Sequence, residues 1–479
     1  MKSIKRNYLF NILLNVSSVV FPLITAPYVS RVLEPDGIGL YNFSGAYAGY
    51  FALVALLGIP FYGVREVSKI RDDKNQLSLL VSQLMSIAGI VTVAVTVIYL
   101  LTIAFIGQLT ENYIIFLIAG FAIYLAPLKI NWLFEGLEEF GYITIRSLIV
   151  RTISVICLFL FVRQKDDLVI YVILNILGGV GADVWNYVKM LKAGIRPRFT
   201  VCGVKVHLRP LFILFVSYVA ISIYTILDSV MLGFMTDYSE VGYYNNAIHL
   251  SKTILMGVTS LSLVALTRVS YYMRSKDYKN INQLMDKSFS IVTFLAFPLA
   301  FGLMCIAPTF VPLFFGEKFV GSIIPLMILS TLIVFIGYSN LTGIQILIGM
   351  GFDKAFLYSV STGTIANIVL NCLLIPVWGA VGASVASVVA EMLIAVVTVS
   401  FVYRLTPIRF NNKTDIFKTI FGSMLFIPLI INLQKILSGW TLVVMFVLIG
   451  GAVYIILEYV MRNTMMGMVK SFVAEKLGK

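Results

Sequence analysis

Residues 31–42 read RVLEPDGIGLYN, and residues 234–245 read FMTDYSEVGYYN. Each is a short polar stretch between two long apolar ones. Aligned so that Gly39 falls on Gly242, Ile38-Gly39-Leu40-Tyr41-Asn42 matches Val241-Gly242-Tyr243-Tyr244-Asn245, and Glu34 falls on Asp237. The same offset places Arg65 on Arg268 past the next apolar run. Pro35-Asp36-Gly37 is expected to reverse the chain between two helices, with Gly39 letting the second start tightly. Several matches in register around one helix pair point to a duplication.

The surrounding composition says what kind of helix these turns join. Of 479 residues, 59% are hydrophobic and only 12% charged, with mean hydropathy +0.95. A water-soluble fold cannot hide that much apolar surface, so the class is an all-α polytopic membrane protein. The opening MKSIKR and its apolar run resemble a signal peptide without a small-residue cleavage site. They are therefore expected to be a retained first span.

Windows of about twenty apolar residues give spans near 8–30, 41–62, 79–105, 111–134, 143–163, 168–188, 210–235, 247–267, 289–315, 321–349, 355–376, 379–403, 415–433 and 439–461. That is about fourteen. With the N-terminus in the cytoplasm, 29 of the 36 Lys and Arg fall on cytoplasmic segments, among them KAGIRPRFTVCGVKVHLRP (192–210). The outer segments hold only Arg31, Arg163, Lys165, Lys318 and Lys435. This bias fixes both termini as cytoplasmic. It also accounts for the formal charge of +13 as a topology signal that favours anionic membrane lipids, with no nucleic-acid partner.

The two copies of the turn are six spans apart, so both enter the membrane in the same direction. A parallel repeat follows, with two pseudo-symmetric six-helix lobes, 1–203 and 204–410. Residues 411–479 add two C-terminal helices and a cytoplasmic tail. Two similar lobes about a central cavity suit alternating access. The outer loops are short, which argues against a membrane glycan polymerase or ligase, and no G-x-x-x-x-G-K-[ST] loop occurs. No enzyme activity is expected.

The strings SRVLEPDGIGLYNF (30–43), YGVREVSKIRDD (62–73), NWLFEGLEEFGYITIRSLIVR (131–151), LDSVMLG (227–233), VGYYNNA (241–247) and IPVWGAVGASVASVVAE (375–391) resemble the polysaccharide-translocase family. These are the Wzx-type flippases of O-antigen and capsule repeat units, in one superfamily with the drug extruders and lipid II flippases. The resemblance implies an extruder-like fold in a bacterial cytoplasmic membrane. It also implies a polyprenyl-pyrophosphate-linked oligosaccharide as cargo, with other polysaccharide-assembly proteins as candidate partners. A lipid II-type flippase and an ion-coupled drug extruder are the alternatives on the same fold. Ser217 and Gly349 stand where many relatives carry proline, so the bends of spans 7 and 10 are expected to differ.

Such a cargo needs cations for its phosphates, and charges inside spans are functional candidates. Arg31, Arg65, Arg151 and Arg268 are the candidate phosphate contacts. Arg31 is alternatively a partner for Glu34, and Arg65 and Arg268 are alternatively positive-inside anchors. Asp183 is placed to pair with Arg151, and Asp228 with Lys252, near which His249 stands. Glu391, near mid-membrane without an obvious basic partner, is the candidate for ion coupling; a hydrogen-bonded neutral carboxyl is the alternative. No cofactor is expected beyond H⁺ or Na⁺ coupling, and no metal site. Glu458 is expected to snorkel to the interface. Asn11 and Asn15 share one helix face, as do Asn367 and Asn371. With Gln345 they are candidates for sugar hydroxyls or for helix–helix bonds. Pro22 and Pro27 are expected to break span 1 and make it the gate.

Overall fold

The computed structural model describes residues 4–260 and 262–476; side chains are described except at 4–9, 11, 12, 217–225, 263, 264 and 472–476. The Asn11 and Ser217 side chains lie outside the described residues. Among the described residues the regular structure is all helical, without a strand. Nine helices there are long and apolar enough to cross a membrane, or ten if the bent pair Tyr113–Tyr124 and Ala126–Gly136 counts as one. The chain divides into two compact units, Met1–Gly242 and Tyr243–Lys479.

In the first unit, Ile4–Leu56 is helical except at Glu34, whose φ of 61° and ψ of 175° break it in two. The contacts on either side show that the chain reverses there. The stretch before the break runs parallel to the helix Phe140–Phe161. Along it Thr144 Oγ1 donates to Phe10 O (3.0 Å), Arg151 Nη1 to Ser17 Oγ (2.8 Å) and Tyr28 OH to Val162 O (2.7 Å). The stretch after the break runs antiparallel to Lys205–Met235. Phe43 packs edge-on to Phe234, with ring centroids 5.0 Å apart, and Gly58 lies against Phe215 and Leu211. The reversal is thus a single residue. Pro35, Asp36 and Gly37, expected to form the turn, are instead the first turn of the second helix, where proline's missing N–H costs nothing.

The repeat partner of Glu34 is Asp237, and it too sits in a break, between Lys205–Met235 and Tyr238–Thr259. The two copies meet reciprocally. A Cβ on Gly39 would overlap the Tyr238 carbonyl, 2.5 Å from its carbon and 3.0 Å from Gly242 N. One on Gly242 would overlap the Pro35 carbonyl, 3.1 Å from its carbon and 3.3 Å from Gly39 N. Pro35 and Tyr238 are themselves equivalent in the repeat. Each glycine therefore makes to the other copy the backbone approach it receives, which only a missing side chain permits.

At the opposite end of this unit, Tyr62, Leu84, Trp132, Phe134, Ile143, Met190 and Leu211 form a buried core. His207 closes it. Its Nδ1 meets Tyr62 OH (2.7 Å) and its Nε2 meets Gln83 Oε1 (2.9 Å), while Gln83 Nε2 donates to Cys202 O (3.0 Å). Because that amide accepts through Oε1, the imidazole carries a proton on Nε2; burial disfavours a second one, leaving Nδ1 to accept from Tyr62.

In the second unit, Asp353–Leu405 is a helical hairpin broken at Gly379, where φ is 53° and ψ −127°. Gly363 lies against Ile394 and Gly382 against Leu374, as antiparallel arms require. Asn340–Ile348 is a π-helix, the local widening that often marks a functional segment. It ends at Gly349, which presses on Val269. The C-terminal helices Thr414–Met424 and Gly439–Val460 pack against Tyr278–Phe315; Tyr454 OH donates to Phe294 O (2.8 Å). Glu458 does not snorkel. It is fully buried, and its Oε2 accepts from Asn463 Nδ2 at 2.6 Å.

Candidate functional site

A cavity of about 410 Å³ lies in the first unit, between the first helix, Phe140–Phe161 and Leu168–Lys192. Small-ligand pockets have this size. Its polar lining is Ser18, Thr25, Ser147, Arg151, Ser154, Tyr171 and Asn175, set among Phe21, Pro22, Val150, Val155, Leu158 and Leu174. Gly178 and Gly179 leave one wall without side chains. The parallel register of the first helix with Phe140–Phe161 puts Arg151 opposite Ser17, whose hydroxyl it donates to. A hydroxyl leaves the guanidinium charge uncompensated, and the remaining N–H groups are available to an acceptor.

Pro22 and Pro27 do not break the first helix; of its residues only Glu34 leaves helical geometry. Pro22 withholds the hydrogen bond that Ser18 O would receive in a regular helix. Ser18 and Pro22 both line the cavity, so the freed carbonyl lies where a polar ligand can use it.

Asp183 does not pair with Arg151. The cations facing it are Lys129 and Arg146, neither of which the sequence singled out. Arg65 is exposed, bonded to Glu66 (3.0 Å), and lies over the Tyr62 ring. Arg31 is exposed one turn before the break. Beside it Glu34 pairs with Lys165 (3.1 Å) and pushes that ammonium's pKa up. In the same loop the backbone N–H groups of Arg163 and Gln164 bond Asp167 and hold its carboxyl below the ordinary range. Asn15 is exposed, and Asp228 is buried with Tyr50 facing it. In the second unit Arg268 and Lys252 are exposed, the latter one turn after His249, and Glu391 is buried at 4% exposure. Gln345, in the π-helix, donates to Ser262 Oγ (3.1 Å), and Asn371 donates to Asn367 (3.2 Å). Among the described residues no three His, Cys, Asp or Glu side chains gather as metal ligands would.

The family described as "Polysaccharide biosynthesis protein" matches residues 4–271, over half of the chain and all of the helices around the cavity. The chain belongs to this family. Among curated relatives, a "Putative O-antigen transporter" of Escherichia coli (strain K12) is 23% identical over 408 residues, covering 84% of this chain and 97% of its own. The family fold is shared with two solved structures. A lipid II flippase in an inward closed conformation superposes with a TM-score of 0.78 at 16% identity, over 96% of this chain and 100% of its own. An inward-facing multidrug resistance MATE family transporter superposes with a TM-score of 0.62 at 13% identity, over 80% and 93%. The resemblance carried by the sequence motifs is borne out, and with it an all-helical polytopic membrane fold.

Proposed function

We propose that this protein is a flippase that carries a polyprenyl-pyrophosphate-linked oligosaccharide repeat unit across the bacterial cytoplasmic membrane by alternating access. The observation that carries the reading is the cavity beside Arg151. It offers a cation bonded to a hydroxyl, with no carboxylate partner among the described residues, hydroxyls and an amide for sugar, and apolar walls, all within membrane helices of a polysaccharide biosynthesis protein. Arg151 takes the pyrophosphate and Ser18, Thr25 and Asn175 take sugar hydroxyls. The prenyl tail stays in lipid. Arg65 and Arg268 receive the head group at the entrance, Arg31 acts at the outer rim, and Asn15 and Gln345 bind sugar.

The membrane arrangement belongs to the same proposal. Two of the nine long apolar helices are hairpins; with the bent pair at 113–136, Lys205–Met235 and Tyr238–Thr259, the chain crosses fourteen times. Both termini are cytoplasmic, and the crossings form two six-helix lobes, 1–203 and 204–410, followed by the helices of 411–479. Glu391 couples the cycle to H⁺ or Na⁺, the pair Asp228–Lys252 gates it, and other polysaccharide-assembly proteins receive the product. Deleting the gene tests the reading. Lipid-linked repeat units then accumulate in the inner leaflet and surface glycan is lost; normal surface glycan without a trapped intermediate refutes it.

A further inference from the structure

One cation of the first unit is buried and has no counter-ion in bonding range. Arg146, in the first turns of Phe140–Phe161, is 6% exposed. Its hydrogen bonds go to Ala182 O (3.3 Å), Asn131 Oδ1 (3.3 Å) and Ser147 Oγ (3.2 Å), all neutral and all long. Its Nε has no partner. Among the described residues no carboxylate comes within ion-pair distance; the acids acting on it from further off are Asp183 and Glu135. A guanidinium buried without an anion is expensive, and a buried donor without an acceptor adds to the cost.

A second orphan stands beside it. Asn186, fully buried, accepts from Tyr142 OH (3.1 Å) through Oδ1, while its Nδ2 has no partner. Tyr142 joins the two, since the Arg146 guanidinium lies 5.8 Å from its ring centroid. Lys189 lies over the same ring at 3.4 Å and pairs with Glu139. Two buried donors, one of them charged, flank one tyrosine; its phenol oxygen also faces the guanidinium, and Arg146 Nε and Asn186 Nδ2 are left without an acceptor. A hydroxyl ligand brings a donor of its own, whereas an oxyanion brings only acceptors and supplies the missing charge.

We propose that Arg146, Asn186 and Tyr142 form a binding site for a phosphate-type oxyanion. The site adjoins the Arg151 cavity, because Ser147 and Ala182, which Arg146 bonds, also line that cavity. Asp183 and Lys129 face each other beside it. Under the flippase reading, on which this assignment of the anion rests, the site takes the pyrophosphate at the end of the cavity where the carrier is loaded. The same chemistry would also fit the phosphate of a bilayer phospholipid.

The test uses the purified full chain in neutral detergent, with binding read by thermal shift and native mass spectrometry. The probes are undecaprenyl pyrophosphate, inorganic pyrophosphate and phosphatidylglycerol. Undecaprenyl pyrophosphate is expected to raise the melting temperature, and Arg146→Gln to weaken its binding about tenfold or more. Asn186→Asp supplies an internal anion. It should melt higher than the parent without ligand and lose the ligand-induced shift, which guards against a variant that merely fails to fold. An Arg146-dependent shift with phosphatidylglycerol alone assigns the site to bilayer lipid and overturns the cargo assignment. Equal shifts in parent and both variants, or none with any probe, overturn the site, leaving the donors to be satisfied by buried water. A chain that exports glycan but shows no Arg146-dependent binding keeps the flippase reading and loses the site. One that binds but leaves lipid-linked units trapped does the reverse.

Discussion

Gly39→Ala tests whether the reciprocal glycine contact holds the two copies of the repeat together. The added methyl would overlap the Tyr238 carbonyl, standing 2.5 Å from its carbon where ordinary contact is 3.4–4 Å. The neighbouring atoms are backbone, which cannot rotate away as a side chain would, so the helices must part by about 1 Å or more. Overpacking of this kind costs about 1–3 kcal/mol, a five- to roughly hundredfold change in an equilibrium between joined and parted helices. Gly242→Ala meets the reciprocal carbonyl of Pro35 and should cost a similar amount. Because both methyls enter one contact, the double variant should cost clearly less than the two separately. Gly45→Ala on the same helix is the control, since its Cβ would meet nothing within 4 Å; helix propensity makes that change neutral or slightly stabilising. The assay is melting of the purified protein in detergent, with glycan export in cells as a second readout. Melting and export of Gly39→Ala equal to those of Gly45→Ala, or strictly additive effects of the two alanines, would refute the reasoning.

Three further outcomes follow from single contacts. Arg151→Gln removes the cavity's charge while leaving the helix intact; export should fall about tenfold with melting unchanged, and full export would assign Arg151 a structural role. Lys418 is paired at 3.0 Å with Asp415, whose side chain is 1% exposed. Lys418→Met leaves that carboxylate buried and unpaired, at a cost on the order of 3 kcal/mol, read as lowered melting. Burial lowers the pKa of His207, against a weaker opposing effect of Glu66. The folded state therefore resists the proton that the unfolded chain accepts. The contribution is full above the ordinary histidine value of about 6.5 and is lost as pH falls below it toward the folded value. His207→Gln should flatten the dependence of melting on pH between about 7 and 5; an unchanged slope would contradict the neutral, buried assignment.

The helical membrane class and the repeat were legible because both are carried by long-range pattern, apolar length in one case and residue spacing in the other. What the patterned residues touch was not. Gly39 reads as turn chemistry, yet its neighbour is a backbone some two hundred residues away. Pro35-Asp36-Gly37 reads as the reversal, yet the break falls on Glu34, since proline at a helix start satisfies the same local preferences as proline in a turn. Arg151 stood out as a charge within a span, but its partner Ser17 is one of many serines that more often bond their own helix. Arg146 lies close enough to the helix start to be absorbed into the positive-inside count. Only its burial and its unpaired donor set it apart. Glu458 likewise looked interfacial until packing with Asn463 and the neighbouring helices enclosed it.

The central claim is translocation of a lipid-linked glycan, and reconstitution measures it most directly. The purified chain is placed in liposomes holding a polyprenyl-pyrophosphate-linked oligosaccharide, and the fraction reachable by an externally added, membrane-impermeant glycosidase is followed with time. The account predicts that the protein moves the protected fraction into reach and that Arg151→Gln slows this about tenfold. Protection as complete with the protein as in empty liposomes, under an imposed H⁺ or Na⁺ gradient as well as without one, would contradict it.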